Sequence, residues 1–258
     1  MGIEIMKLNN KVAVITGAAS GFGKGIAEMF AKEGSKIIVA DINESSGNEF
    51  VNTLKQSGFK CEYIYTDVAN KDSMENLFKK TEKIYGGLDI LVNNAGWSYS
   101  NKPSVEVTET EVDKLLNINI KSIYFGTVYA VELMKKNEEG GVILNIASTA
   151  AVRPRPNLTW YNATKGAAVT ITKSLSIELA KYKIRVCAIN PVIGETGMLE
   201  TFMGMPDTEE NRKKFIETIP LGRFSKPVDI ANAALFLVSN ESNFLTGVCL
   251  DVDGGRSV

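Results

Sequence analysis

Short apolar runs alternate with longer amphipathic segments along this chain, and this alternation limits the possible folds more than any other feature. The runs are nearly continuous in apolar residues, as strands are when both faces of a sheet are covered. The amphipathic segments between them indicate helices that cross from strand to strand. We therefore predict an α/β fold with a doubly wound parallel sheet of about seven strands and helices on both faces.

The pattern predicts where the elements lie. Predicted strands cover residues 12–15, 36–40, 63–65, 89–92, 142–146, 184–189 and 248–252. Predicted helices include residues 26–32, 44–56, 71–84, 111–136, 161–182 and 229–238. The longest piece without a strand is 194–215, and we expect a substrate loop over about 191–218, with a plain surface excursion as the alternative. We find no linker or repeat, so residues 1–258 are predicted to form one domain, with a division near residue 95 between two halves.

The sequence contains no histidine, which removes a Ser-His-Asp triad, histidine-bound metals and histidine as a general base. Acid–base chemistry must therefore use Tyr, Lys, Asp, Glu or Cys. The cysteines Cys61, Cys187 and Cys249 lie far apart without a C-x-x-C motif, so we predict buried free thiols and no metal site.

The formal net charge of -1 provides no field for holding nucleic acid or an anionic membrane. Residues 1–10 lack the cationic start and apolar stretch of a signal peptide. No apolar run approaches the ~18 residues of a membrane span. These features predict a cytoplasmic protein whose partner is a small-molecule substrate.

A glycine-rich segment, T-G-A-A-S-G-F-G, connects the first predicted strand to its helix and places glycines at Gly17, Gly21 and Gly23. Glycines let the backbone approach a pyrophosphate, and the helix N-terminus supplies N–H donors. The second strand ends roughly 20 residues later at Asp41, where a carboxylate can accept both ribose hydroxyls of an adenosine and repel a 2′-phosphate. The alternative is that Asp41 caps the next helix.

Tyr161 and Lys165 are one helical turn apart, and Ser148 precedes them on a loop after a strand. A phenol is too weak a base at neutral pH, but a neighbouring ammonium and a positively charged cofactor would lower its pKa. Tyr161 could then move the hydroxyl proton of an alcohol while Ser148 orients the substrate oxygen. This arrangement supplies acid–base chemistry without histidine.

These motifs resemble the main, short-subunit branch of the short-chain dehydrogenase/reductase family, and the resemblance covers essentially the whole chain. It implies a Rossmann-like domain whose cofactor-binding half is about residues 8–95. It also implies that Asn119, rather than the nearby Asn117, is the catalytic Asn beside Ser148, Tyr161 and Lys165. The cofactor residues that the motifs or the resemblance imply are Gly17, Ser20, Gly21, Phe22, Gly23, Asp41, Ile42, Asp67, Val68, Asn94, Ala95, Gly96, Tyr161, Lys165, Pro191, Ile193 and Thr196.

Two further features bear on the cofactor. Ser20 is uncharged where family members that use NADP often have Arg or Lys, so Ser20 and Asp41 both indicate NAD. Val192 replaces the Gly of the family's N-P-G-x-x-x-T motif, so the resemblance does not determine the local turn here.

The predicted substrate-facing residues follow the motif ends: Trp97, Ser98, Ser148, Arg153, Arg155, Asn157, Trp160, Met198 and Phe202. Arg153 and Arg155 could bind an anionic group of the substrate, or they could be solvated loop charges.

Three functions fit the sequence. The first is an NAD-dependent dehydrogenase of a secondary alcohol, sugar, polyol or hydroxy acid. The second is a 3-oxoacyl-thioester reductase, and the third is a protein that binds NAD without turnover. The family's C-terminal pattern and its long helices also imply a homotetramer.

Overall fold

The structure is a computed structural model that describes residues 6–258. The first five residues, which belong to the stretch used to predict the absence of a signal peptide, lie outside the described residues. The strands are β1 (Val12–Thr16), β2 (Lys36–Asp41), β3 (Cys61–Tyr65), β4 (Ile90–Asn93), β5 (Gly141–Ile146), β6 (Ile184–Pro191) and β7 (Cys249–Val252). The helices are α1 (Gly21–Lys32), α2 (Glu44–Gln56), α3 (Lys71–Tyr85), α4 (Glu109–Leu116), α5 (Ser122–Met134), α6 (Thr159–Leu179), α7 (Leu199–Met203), α8 (Glu209–Ile216) and α9 (Pro227–Val238).

The strands form one parallel seven-stranded sheet in the order β3-β2-β1-β4-β5-β6-β7. This confirms the predicted doubly wound α/β fold. The chain winds outward from β1 to β3, returns to pair β4 with the other side of β1, and then winds outward again to β7. The reversal opens a crevice between the carboxyl ends of β1 and β4, the place where open α/β sheets bind ligands.

The two faces of the sheet form separate apolar cores, which explains the continuous apolar strands. In β1, Ala13 and Ile15 pack against α1, α2 and α9, where Ile26, Phe30 and Ile230 are fully buried. Val12 and Val14 point the other way, into a core with α3 and α5. Alternate residues of a strand face opposite sides of the sheet. Because both sides are covered here, the residues facing each side must be apolar.

The prediction of one regular helix over 111–136 is wrong at its centre. The helical segment begins at Glu109, where Thr108 and Glu111 form a reciprocal capping box, and ends at Met134. Between α4 and α5, Asn117–Lys121 forms a π-helical turn. The widened turn carries Asn119, whose side chain is held by tertiary hydrogen bonds to Trp97 and Thr164. The apolar periodicity of the sequence does not indicate hydrogen bonds between distant segments, so it could not predict this π-helical turn.

The predicted substrate loop is partly helical, because α7 and α8 lie within it. Leu199 and Met203 of α7 pack with Val192, Ile219 and Phe224 in a small apolar cluster. The segment therefore has a core of its own and covers the carboxyl edge of β6. No helix in the described part of the chain is long and apolar enough to cross a membrane.

Candidate active site

A cavity of about 930 Å³ runs along the carboxyl edge of the sheet. It brings together most of the residues selected from the sequence. Those in its lining are Gly17, Ser20, Gly21, Phe22, Asp41, Ile42, Asp67, Val68, Asn94, Ala95, Gly96, Trp97, Ser148, Arg153, Arg155, Tyr161, Lys165, Pro191, Ile193, Thr196, Met198 and Phe202.

The glycine loop turns sharply at the end of β1. Gly17 has φ +63 and Gly21 has φ +54, a left-handed conformation that disfavours other residues. Gly23 does not line the cavity; a Cβ there would collide with the Gly17 carbonyl and the Asn94 side chain. Gly23 therefore permits close packing of the loop rather than contact with a ligand.

The N-terminus of α1 faces this cavity and suits a phosphate group. Ser20 is the N-cap, but its side chain makes no capping hydrogen bond, and the first turn of α1 carries no acidic residue. The first N–H groups of a helix have no intrahelical acceptor, and the helix dipole adds positive potential there. The residues present thus fit the pyrophosphate of a dinucleotide.

Asp41 lies at the end of β2, beside the glycine loop. Its Oδ2 accepts a hydrogen bond from the Ala19 N–H at 2.9 Å, and its Oδ1 accepts one from the Asn43 N–H at 2.9 Å. Asn43, not Asp41, caps α2, with its Oδ1 accepting from the Ser46 N–H at 3.0 Å. The alternative that Asp41 is a helix cap is therefore wrong, and its carboxylate lines the cavity.

Asn94 ties the end of β4 to the glycine loop. Its Nδ2 donates to the carbonyls of Thr16 at 2.8 Å and Gly17 at 3.0 Å. The backbone N–H groups of Asn94 and Ala95 both donate to Thr16 Oγ1 at 3.1 Å. These bonds fix the spacing of the two strand ends that border the crevice. Thr16, which accepts these hydrogen bonds, was not predicted as a site residue. The signal that could have indicated it is a hydroxyl residue at the end of a buried strand.

Tyr161 and Lys165 lie on one face of α6, and both are buried. Lys165 Nζ donates to the Ile146 carbonyl at the end of β5, at 2.9 Å, and lies 5.8 Å from the centroid of the Tyr161 ring. Ser148 follows β5, and its Oγ accepts from the Ala150 N–H at 3.1 Å. The helix and the strand end thus bring three of the four predicted catalytic side chains, Ser148, Tyr161 and Lys165, to one end of the cavity.

Burial dominates the titration of this pair. It raises the pKa of Tyr161 to about 12, although the Ser148 hydroxyl and the Arg155 guanidinium oppose the shift. Burial also lowers the pKa of Lys165 to about 8. Both shifts have one cause, since a low-dielectric site disfavours the charged form of each group. In the polypeptide alone, desolvation outweighs the opposing effects of Ser148 and Arg155, so the pKa of Tyr161 is raised there. The lowering expected from the ammonium and the positively charged cofactor together stays a prediction.

Asn119 supports the site without lining the cavity. Its Nδ2 donates to the Trp97 carbonyl at 2.9 Å and to Thr164 Oγ1 at 3.0 Å, and its Oδ1 accepts from the Trp97 N–H at 2.9 Å. The side chain thus links the segment after β4 to α6 beside Lys165. Asn117 instead bonds Lys121 at the surface.

Val192 fits its turn without strain. It has no positive φ, its N–H donates to the Val252 carbonyl at 3.3 Å, and its side chain packs against the α7 cluster. A Cβ on Gly21 would lie 3.4 Å from Thr196 Cγ2, so the following segment reaches the glycine loop. Ile193 and Thr196 therefore line the cavity even though Val192 stands in place of the glycine.

The substrate end of the cavity contains Trp97, Met198 and Phe202, and the Phe202 ring centroid lies 5.2 Å from that of Tyr161. Asn157 and Trp160, predicted to face the substrate, lie outside this lining. Asn157 occupies an exposed left-handed turn, and the Trp160 indole N–H donates to the Ser104 carbonyl. Ser98 is buried, and its hydroxyl donates a hydrogen bond to the Tyr99 carbonyl.

The two arginines differ in their surroundings. Arg155 is half-buried, and its Nη2 donates to the Phe202 carbonyl at 2.9 Å. Arg153 is exposed and donates to the Arg256 carbonyl. Several further lining residues were not predicted individually: Lys114, Ile118, Met205, Lys214, Phe215, Thr218 and Arg256. Met205, Lys214, Phe215 and Thr218 lie within the predicted substrate loop. Only folding brings Lys114, Ile118 and Arg256 to this cavity, so no local motif indicates them.

Comparisons with known proteins agree with this geometry. Residues 17–257 match the adh_short_C2 family, described as Enoyl-(Acyl carrier protein) reductase. A 4-formylbenzenesulfonate dehydrogenase of Comamonas testosteroni is 44% identical over 253 residues, which cover 98% of this chain and 100% of that protein. Glucose 1-dehydrogenase 2 of Bacillus subtilis is 34% identical over 254 residues, covering 97% of this chain and 96% of that one.

A solved structure is also similar. The crystal structure of 3-ketoacyl-(acyl-carrier-protein) reductase from Brucella melitensis, complexed with NADH, matches with a TM-score of 0.91 and 43% identity. The match covers 97% of this chain and 100% of the Brucella chain. The fold and the length of the chain are therefore those of its relatives.

We expect Gly23→Ala to destabilise the protein, because the new methyl group would collide with the Gly17 carbonyl and the Asn94 amide. Overpacking of this kind costs about 1–3 kcal/mol. Thermal and urea unfolding would measure the loss. Gly87→Ala is the matched control, since a Cβ there meets nothing within 4 Å. Equal stability of the two variants would contradict the packing role of Gly23.

Proposed function

The chain belongs to the short-chain dehydrogenase/reductase family of oxidoreductases. We propose that it is an NAD-dependent dehydrogenase of a secondary alcohol. In the proposed reaction an alcohol and NAD⁺ give a carbonyl compound, NADH and a proton. The convergence of Ser148, Tyr161 and Lys165 at one end of the cavity carries the proposal. The same residues would act in reverse on a ketone.

The cofactor assignment depends on the other end of the cavity. NAD, when bound, would accept a hydride from the carbinol carbon at its nicotinamide ring. The N-terminus of α1 would hold the pyrophosphate, and the Asp41 carboxylate would accept both hydroxyls of the adenosine ribose. Asp67 and Val68 would contact the adenine. Ile193 and Thr196 would bind the nicotinamide amide from the segment after β6.

Proton transfer is assigned to the polypeptide. Tyr161 would remove the hydroxyl proton of the alcohol during oxidation and return it to the carbonyl oxygen during reduction. Ser148, whose hydroxyl lowers the pKa of Tyr161, would orient the same oxygen. Lys165 would hold the nicotinamide ribose, and its ammonium, together with the cofactor charge, would oppose the effect of burial on the phenol.

A 3-oxoacyl-thioester reductase is the second candidate. The similarity to the Brucella reductase, whose structure contains NADH, favours it. The apolar surfaces of Met198 and Phe202 could accept an acyl chain. The other relatives' names indicate an aromatic sulfonate and a sugar as substrates, so resemblance alone does not select the substrate. A protein that only binds NAD is least supported, because it would have no use for the buried Tyr161–Lys165 pair.

We also propose a homotetramer. Tyr124 and Val128 on α5 and Ile177 on α6 are exposed apolar residues, and Ile177 is 80% exposed. Phe244, which precedes β7, is 99% exposed. Exposed apolar faces on two long helices and near the last strand are suited to two separate contacts, as a closed assembly with two-fold axes requires.

Tyr161→Phe should lower kcat by about 10²- to 10⁴-fold, because it removes the acid–base hydroxyl but leaves the ring in place. NADH binding, followed by fluorescence titration, should be nearly unchanged. Tyr129→Phe, outside the cavity lining, is the matched control. Because the pKa of Tyr161 lies above neutrality, at about 12 in the polypeptide, the oxidation rate of the wild type should rise with pH from 7. A variant that retained both its rate and this rise would exclude Tyr161 as the base.

The wild type should use NAD far more efficiently than NADP, because the Asp41 carboxylate would repel a 2′-phosphate. Asp41→Ala should raise the KM for NAD and lower the preference for NAD at least tenfold, since one change removes two hydrogen bonds and a repulsive charge. Steady-state assays with both cofactors measure this, and the exposed Asp72→Ala is the control. Equal efficiency of the wild type with both cofactors would refute the assignment.

Light scattering at micromolar concentration should give a mass near four times the 28.1 kDa of one chain. Ile177→Asp should produce smaller species, because burying a carboxylate in an apolar contact is costly. Val105→Asp should not, since Val105 is 93% exposed and lies outside α5 and α6. A monomeric wild type would contradict the proposed assembly.

A further inference from the structure

The two ends of the cavity differ in charge. Its acidic lining residues, Asp41 and Asp67, lie at the end assigned to adenosine. The charged residues that line the substrate end are all basic: Lys114, Arg153, Arg155, Lys165, Lys214 and Arg256. Low-dielectric walls strengthen the field of such a cluster and attract anions.

Three of these cations lack a carboxylate partner. Among residues 6–258, no carboxylate oxygen lies within 4.0 Å of the guanidinium nitrogens of Arg153, Arg155 or Arg256. By contrast, Arg212 pairs with Asp207 and Arg223 pairs with Asp229. Arg155 is half-buried, and a charge withdrawn from water is normally paired, so the pairing of Arg155 is incomplete within the chain described.

Among residues 6–258, Arg155 donates one side-chain hydrogen bond, which leaves most of its N–H groups without a protein acceptor there. Its Nη2 donates to the Phe202 carbonyl, and its guanidinium carbon lies 5.0 Å from the centroid of the Phe215 ring. The Asn162 amide fixes the Arg155 backbone by donating to its carbonyl at 2.8 Å. The charge reaches the reacting end of the cavity, because it lowers the pKa of Tyr161 against the effect of burial. A guanidinium has five N–H donors, enough to bind an oxoanion as well.

Arg256 reaches the cavity from the C-terminal turn. The Asp253 carboxylate shapes that turn by accepting hydrogen bonds from the N–H groups of Gly255 at 2.9 Å and Ser257 at 2.7 Å. Arg153 donates to the Arg256 carbonyl and so links the loop after β5 to the turn. The charge of Arg256 also acts on Arg155, whose pKa is lowered by burial and then by Arg256. The two guanidinium groups therefore repel each other, while Asp253 offsets part of the charge of Arg256, and an anion bound at both groups would relieve the repulsion.

We infer that Arg155 and Arg256 together bind an oxoanion of the substrate, and that Arg153 is a positioning residue for the C-terminal turn. The inference rests on the proposed function and extends it to a substrate class. The substrate would carry its hydroxyl or carbonyl at Tyr161 and Ser148, an apolar body against Trp97, Met198 and Phe202, and a carboxylate or sulfonate at the far end. An unpaired guanidinium gains most from an anion, so the neutral analogue should be the poorer substrate.

The experiment compares ketones that differ only in charge, using NADH oxidation as the assay. The charged probes are 4-acetylbenzoate and 4-acetylbenzenesulfonate, and the neutral ones are methyl 4-acetylbenzoate and 4-acetylbenzenesulfonamide. The wild type should prefer the charged member of each pair. Arg155→Ala and Arg256→Ala should each lower the charged-to-neutral ratio of kcat/KM by about 10- to 100-fold, the effect of losing a hydrogen bond to a charged group. The ratio cancels any effect of either variant on the chemical step.

The positioning role of Arg153 is tested by combining its substitution with that of Arg256. Arg153→Ala should lower the same charged-to-neutral ratio of kcat/KM, and Arg153→Lys should restore part of it. In the Arg256→Ala background, Arg153→Ala should lower the ratio little further, because Arg153 acts by positioning the Arg256 side chain, which that background lacks. A purely structural role would lower both members of each pair and leave the ratio unchanged. Arg223→Ala, outside the cavity lining, is the control.

A binding measurement separates this inference from the proposed function. In the presence of NADH, each charged probe should raise the unfolding temperature of the wild type more than its neutral partner, and Arg155→Ala should abolish the difference. If this shift occurs without turnover, the proposed function fails and the anion site stands. If turnover occurs with equal efficiency on charged and neutral probes, or the arginine variants leave the ratio unchanged, the anion site is refuted and the oxidoreductase assignment stands.

Discussion

The burial of Lys165 without a carboxylate partner is the constraint on which the catalytic end of the structure depends. Within the described residues, its ammonium makes one hydrogen bond, to the Ile146 carbonyl at 2.9 Å. A cation in this position is tolerated only where the backbone is rigid enough to hold a carbonyl dipole against it. The sheet supplies that rigidity, because β5 pairs with both β4 and β6. Burial lowers the pKa of Lys165 to about 8. Where the ammonium is charged, it favours negative charge nearby, either on the Tyr161 oxygen or on a ligand.

Buried amide side chains connect the elements that carry this site. Asn93 donates to Asn145 at 2.9 Å and Asn145 donates to Thr172 at 2.9 Å, a chain of bonds from β4 through β5 to α6. Asn94 joins β4 to the glycine loop, and Asn119 joins the π-helical turn to Trp97 and α6. An amide can both donate and accept, so each bridges two elements without introducing charge. Because these bonds are buried, breaking one leaves an unsatisfied polar group, and the relative positions of the elements are strongly specified.

Charge is segregated along the cavity, and each sign suits one part of the proposed reaction. The Asp41 carboxylate stands where ribose hydroxyls would be bound and a 2′-phosphate excluded, and the helix N-terminus beside it suits the pyrophosphate. At the opposite end, the Arg155 guanidinium offers positive charge that acts on Tyr161, and Arg256 lines the same cavity. A substrate anion there would complete the pairing that the chain leaves open. Met198 and Phe202 add apolar surface at the substrate end, and α7 supplies Phe202 from a segment with its own small core.

The sequence by itself determined the sheet and the motifs at its carboxyl edge, because strand burial and motif spacing are local properties. The alternation of elements, the glycine turn at Gly17, and the positions of Asp41, Tyr161 and Lys165 could all be predicted from neighbouring residues. Tertiary structure alone decided the π-helical turn at Asn119, the helices α7 and α8, the exclusion of Trp160 from the cavity and the arrival of Arg256 there. These features depend on contacts between segments far apart in the chain. The pKa of Tyr161 belongs with them, since it is set by how deeply the packed structure buries the phenol.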